Sequence, residues 1–241
     1  MRGAAMKRTT RTLVVFTLCA GLVCISAAST PSDEAAVGVI TKVVPQVDRM
    51  DLANPWSPAD KGELLSSGDR LRTGSGKSLA IIKFKDKSFL RMHENSELTL
   101  STDAGSGAFQ KDVSVIKGVM GFQVEKQRNG DRFRFTSPTS VASIRGTRGL
   151  FVSSSAADTL IVSEGLVRMT NTVSGDEVDV PGGFAGLSYP DGSIQVRPAT
   201  GLEIARAEEG SRGASESRKL EFDLRNGDGS QKKLKIEFDE P

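Results

Sequence analysis

From Val37 to Val196 the chain is a succession of short apolar runs separated by polar turns. After a block around Leu64-Leu65, the runs are Leu79 to Phe84, Phe89 to Met92, Leu98 to Leu100, Val113 to Ile116, Val119 to Val124, Phe133 to Phe135, Val141 to Ile144, Leu150 to Val152, Leu160 to Val162, Leu166 to Met169, Val178 to Val180, Phe184 to Ser188 and Ile194 to Val196. None sustains a 3.6-residue period, and nearly all are closed by Gly, Asp, Asn or Ser, so the pattern predicts strands rather than helices. A first strand is expected over Val37 to Val44, bounded by Pro45, and a surface loop over Asp48 to Glu63 around Pro55-Trp56-Ser57-Pro58. The predicted class is all-β. The runs have no rigid repeat length, so a sandwich, a barrel and a solenoid all remain open.

The two ends follow different patterns. Beyond Pro198 the chain turns charged and rich in Gly and Ser, which predicts a linker or loose helix. Leu220, Phe222 and Leu224 then alternate with Glu221 and Asp223. After Asn226-Gly227-Asp228-Gly229, Leu234, Ile236 and Phe238 alternate with Lys235 and Glu237, the signature of a hairpin whose acidic strand faces a Lys-rich one. At the start, Arg2, Lys7, Arg8 and Arg11 precede an apolar stretch from Leu13 to Ile25 and the small residues Ser26-Ala27-Ala28. This predicts a secretory signal removed after Ala28, with a retained anchor as the alternative. Neither Cys19 nor Cys24 has the lead-in of a lipoprotein site. The expected organisation is a signal peptide over 1–28, a flexible lead-in over 29–36, a β domain over 37–198, a charged linker over 199–219 and a hairpin over 220–238.

Charge and composition narrow the function. The 241 residues carry a formal charge of +2, and the basic residues of the signal account for all of that excess, so the mature chain is slightly acidic. That balance excludes a nucleic-acid footprint. Cys19 and Cys24 are the two cysteines and leave with the signal, so a mature chain in an oxidising compartment is held by packing alone. His93 is the single histidine, beside Glu94 and Asn95 in a charged turn, where a solvated position is expected rather than a catalytic one. No metal or cofactor is expected. Thr73-Gly74-Ser75-Gly76-Lys77-Ser78 lacks the first glycine and the helix of a phosphate loop, Ser114-Val115-Ile116-Lys117 lies in a β-like run, and the Asn226 turn lacks the ligands of a calcium loop. Trp56, the single tryptophan, is either a lid over a sheet end or, with Tyr189, a stacking platform for a glycan.

Four segments recur to the eye. They are Leu64 to Gly74 with Gly68-Asp69 and Thr73-Gly74, Phe84 to Leu90 with Asp86 and Ser88, Thr136-Ser137-Pro138 leading to Arg145-Gly146-Thr147-Arg148, and Val162 to Val167 with Glu164-Gly165. Taken singly each is turn chemistry: glycine supplies positive φ, aspartate caps neighbouring backbone, and Arg145 is expected in a partly buried hydrogen bond beside a pinched Gly146. The alternative is that Arg145 and Arg148 mark a docking surface.

In this order, over about Val37 to Val196, the segments resemble the periplasmic FecR domain. The resemblance implies a two-layered, solenoid-like β architecture and a non-catalytic role in protein interaction or envelope signalling. Regulatory members of that family carry a cytoplasmic segment that handles an alternative sigma factor, then a membrane helix, then the periplasmic domain that hears from an outer-membrane transporter. Here the domain follows the signal almost at once, which implies an exported, stand-alone member in the periplasm or secreted, with no membrane span after cleavage. Its implied partners are envelope proteins, an outer-membrane protein among them. Peptidoglycan or another glycan is the alternative ligand.

Overall fold

A computed structural model describes residues 36–103, 110–126 and 131–212, together with the backbone of 218–225 and 231–238. The signal peptide over 1–28 and nearly all of the lead-in lie outside the described residues.

The chain forms β1 (Gly38–Val44), β2 (Val47–Met50), β3 (Ser57–Pro58), β4 (Leu64–Leu65), β5 (Arg70–Thr73), β6 (Leu79–Phe84), β7 (Phe89–Met92), β8 (Glu97–Asp103) and β9 (Gln110–Val124). There follow β10 (Arg132–Thr136), β11 (Ser140–Ile144), β12 (Thr147–Ser153), β13 (Asp158–Glu164), β14 (Leu166–Asn171), β15 (Glu177–Pro181), β16 (Phe184–Ser188), β17 (Ile194–Pro198), α1 (Gly201–Gly210), β18 (Arg218–Arg225) and β19 (Gln231–Phe238). The all-β expectation holds.

Seventeen strands join in one hydrogen-bonded system that divides into two layers. The first has the order β4-β1-β6-β7-β9-β12-β13-β16-β17. The second has the order β3-β2-β5-β8-β9-β10-β11-β14-β15. Successive strands or strand pairs alternate between the layers, so the chain winds as a flattened coil.

One strand belongs to both layers. The runs Val113 to Ile116 and Val119 to Val124, expected as two strands, are the single strand β9. Its first half pairs with β8 up to Lys117 opposite Glu97, and its second half pairs with β12 from Gly118 opposite Ser153. At the crossing Gly118 has φ +108° and lies so close to Ser96 that a Cβ there would stand 2.3 Å from the Ser96 hydroxyl. Only glycine fits both demands, which is why two apolar runs can be one strand turning through a corner.

The inward faces share one core. Phe84, Phe122 and Phe151 of the first layer meet Phe133 and Phe135 of the second, with ring centroids 5.2–5.4 Å apart between Phe84 and Phe133, Phe122 and Phe135, and Phe135 and Phe151. Alternation explains the choice: in β10 Phe133 and Phe135 are buried while Arg132 is exposed.

Two expectations are corrected. The loop expected from Asp48 to Glu63 contains part of β2 and all of β3, because Val47 is buried and its strand pairs with β5. Within the stretch expected as a linker or loose helix, α1 is an ordered helix. Thr200 caps it in a capping box with Glu203, and Ala207 and Ile204 pack on Leu150, Ile161 and Ala185 across the outer face of the first layer. The docking is close: a Cβ on Gly121 of β9 would lie 1.6 Å from the Gly210 carbonyl oxygen. The C-terminal hairpin forms as expected, β18 antiparallel to β19, with Glu221 opposite Lys235 and Asp223 opposite Lys233. Its turn at Asn226 to Gly229 lies outside the described residues.

Candidate functional site

Three of the four motif segments meet at one end of the two layers. The β6–β7 turn is held by Asp86, whose carboxylate accepts from the Ser88 backbone N–H (3.2 Å) and hydroxyl (2.9 Å). The Ser88 hydroxyl in turn accepts the Glu125 N–H at 3.1 Å, tying this turn to the end of β9. Asp86 also pairs with Lys111, a lysine only 3% exposed whose ammonium lies over the Phe133 ring. A cation buried among phenylalanines needs such a counter-charge.

Next to it the chain passes from β11 in the second layer to β12 in the first through Arg145-Gly146-Thr147. Gly146 has φ +64°. The buried Thr147 hydroxyl donates to the Leu166 carbonyl at 3.2 Å. Glu164 stands opposite Arg148 in the β12–β13 register, and a Cβ on Gly165 would lie 2.8 Å from the Gly146 carbonyl oxygen. The Arg-Gly-Thr and Glu-Gly segments are therefore two sides of one contact.

Between these turns lies an open cleft of about 200 Å³ lined by Gln123, Glu125, Lys126, Gly146, Arg148 and Glu164. Arg148 is half-buried and donates to the Gln123 side-chain carbonyl at 3.2 Å, while its Nε is buried without a hydrogen-bond partner among the described residues. Arg145 is exposed, contrary to the partly buried hydrogen bond expected for it: alternation sends Ile144 into the core and leaves residue 145 on the turn. The cleft presents both charge signs on a frame fixed by backbone contacts, a surface suited to recognising polar partner groups.

The remaining motif residues do not line it. Gly68 and Asp69 precede β5, Thr73 ends it, and Gly74 follows. Asp69 accepts from the Ser66 N–H at 2.7 Å and pairs with Arg49 at 2.9 Å; burial pushes its carboxyl up, against the pull of Ser66 and Arg49. Thr73 donates to the His93 carbonyl at 2.6 Å and accepts the Ser96 N–H at 3.0 Å. Both are structural ties.

Trp56 is half-buried, with the Arg72 and Arg70 guanidinium carbons 4.4 and 5.4 Å from its ring. It is neither an apolar lid nor a bare platform, since β5 arginines occupy its face, an arrangement of about 0.5–1 kcal/mol each at such sites. His93 is not a solvated turn residue. It is half-buried against α1, with Nε2 3.4 Å from the Gly210 carbonyl, and burial is the main cause of its lowered pKa.

Sequence reasoning missed Asp158. Fully buried, it receives the hydroxyls of Ser137, Thr139 and Ser140 on one carboxylate oxygen. These donors come from the Ser-Pro turn between β10 and β11 in the opposite layer, and an aspartate on a strand end carries no signal of such a reach. Among the described residues no helix is long and apolar enough to cross a membrane, and no three His, Cys, Asp or Glu side chains gather as a metal site.

Residues 69–168 match the family model described as FecR protein. No curated protein sequence matches the chain significantly. Two crystal structures of a proposed anti-sigma factor from Parabacteroides distasonis are similar at 11% identity, covering 65% of this chain and 67% and 68% of theirs, with TM-scores of 0.49 and 0.48. The family match begins at Asp69 and ends at Arg168, so it takes in the Arg-Gly-Thr corner and Glu164, which line the cleft, and the Asp86–Ser88 turn and Gly165, which tie its lining in place. Over residues 69–168 the chain thus matches the FecR family.

Proposed function

We propose that this chain is an exported, non-catalytic interaction module of the cell envelope, in the periplasm or beyond it, and that it docks a partner protein at the Arg-Gly-Thr cleft. The observation that carries this reading is the meeting of Gly146–Arg148 and Glu164 at one polar cleft, with the Asp86–Ser88 turn tied to the lining residue Glu125 and Gly165 packed on Gly146. Lys126 and the half-buried Arg148 line the cleft, Arg148 held by Gln123, and the exposed Arg145 adjoins the lining residue Gly146 in the chain, so a partner's acidic or amide groups meet cations there. The role is that of a regulatory envelope-signalling component, as the FecR family match suggests.

In-cell photo-crosslinking tests the proposal. A crosslinker replacing Arg145 or Lys126 is expected to capture an envelope protein, and one replacing the exposed Val173 in the β14–β15 turn is not. The mature N-terminus of the same product is expected at Ser29. Capture from Val173 alone, or from neither end, overturns the docking site.

A further inference from the structure

A second cavity, of about 540 Å³, opens on the outer face of the first layer between β6–β7 and the edge of α1. Leu90 and Met92 of β7 point into the core, so Arg91 and the following His93 stand on the opposite face, toward the helix. The side-chain charges around the cavity are the cations Lys77, Arg91 and Arg206 and the anions Glu94 and Glu209, one cation in excess. Glu94 is engaged by the Lys77 backbone N–H at 2.7 Å. Leu79, Val119 and Leu150 supply an apolar strip.

Arg91 is the group this arrangement leaves unanswered. Its Nε is buried without a hydrogen-bond partner, and no ion pair is formed to it among the described residues. Glu209 attracts it while Arg212 repels it, and burial is the main cause of its lowered pKa. A desolvated guanidinium with a weak counter-charge gains most from an anion that brings its own acceptor oxygens. The lining's one excess cation, with Arg212 adding a second nearby, suits an anion, and the apolar strip suits a hydrocarbon tail.

We infer that the cavity beneath α1 binds a carboxylate carried on an apolar stem, with Arg91 holding the carboxylate, Arg206 closing over it and Leu79, Val119 and Leu150 receiving the stem. Its source is either a free organic acid or the C-terminus of a peptide. This site is separate from the Arg-Gly-Thr cleft and does not depend on it.

His93 offers the readout, because the chain has one histidine and hence one imidazole signal. The full chain is titrated with hexanoate, with an N-acetylated peptide ending in Ala-Leu, and with the same peptide amidated. A saturable shift of the His93 signal is expected with a free carboxylate and none with the amide. Saturation by hexanoate alone identifies a small acid, and saturation by the peptide alone identifies a chain terminus. Affinity is expected to fall about tenfold or more in Arg91→Gln, checked for an unchanged melting temperature, and to fall also in Arg206→Gln, where the exposed helix position leaves folding intact. Absence of saturation with either carboxylate, an equal response to the amide, or unchanged affinity in both variants overturns the inference.

Discussion

Gly146 shows how much one residue can decide. It stands where the chain leaves the second layer for the first, at φ +64°, and a Cβ there would approach the Lys126 Cγ to 2.9 Å. The lysine stem can swing aside, so the backbone conformation is the larger obstacle. Gly146→Val is expected to destabilise the domain by about 1–2 kcal/mol, read as a lower midpoint in urea unfolding. An unchanged midpoint would mean the corner tolerates a side chain and that its Arg-Gly-Thr sequence serves docking alone. Asp158 acts at the same scale in the opposite way. It binds three hydroxyls from another layer and so ties the Ser-Pro turn to the start of β13.

Among the elements, α1 carries the clearest pH dependence. His93 beneath its last turn has a folded pKa below the 6.5 of a free imidazole, because burial and then Arg91 and Arg206 oppose its charge, while the Gly210 carbonyl and Glu209 favour it. Lys77, Glu94 and Arg212 are the other charges nearby. The folded state therefore binds fewer protons than the unfolded one. The associated stability is full above pH 6.5 and is lost as pH falls through the folded value. At the other end of the helix, Arg197 and the Thr200 N–H hold the Glu203 carboxyl at about 2, down from its ordinary 4.5. Its contribution is present above 4.5 and lost as pH falls toward about 2. The hydrogen-exchange protection factors of the α1 amides, each taken relative to the intrinsic rate at the same pH, are expected to fall in two steps on acidification, the upper one absent in His93→Gln. A single step in both proteins would show that α1 docks without regard to His93.

At the scale of the whole molecule, two layers share one aromatic core through Phe135, which touches Phe122, Phe133 and Phe151. Because β9 runs through both layers, neither keeps its order when the other opens. Phe135→Ala is expected to cost about 3–5 kcal/mol. Trp56 fluorescence, reporting beside β5 in the second layer, and the His93 signal, reporting beside β7 in the first, should unfold at the same denaturant concentration. Separate midpoints would mean the layers are independent units.

Local pattern determined most of the strands. The runs Leu79 to Phe84, Phe89 to Met92 and Phe184 to Ser188 are β6, β7 and β16 to the residue, because a half-buried strand must alternate or be apolar and must stop at a turn. The hairpin register was readable from its charges for the same local reason. Alternation says which side a residue faces and nothing of which strand lies opposite. The joining of two runs into β9, the docking of a charged segment as α1, the burial of His93 and the meeting of Gly146–Arg148 and Glu164 at one cleft were decided by tertiary structure. Each depends on distant segments coming close where a glycine leaves room, at Gly118, Gly121, Gly165 and Gly210, and closeness between distant segments is a property of the packed chain.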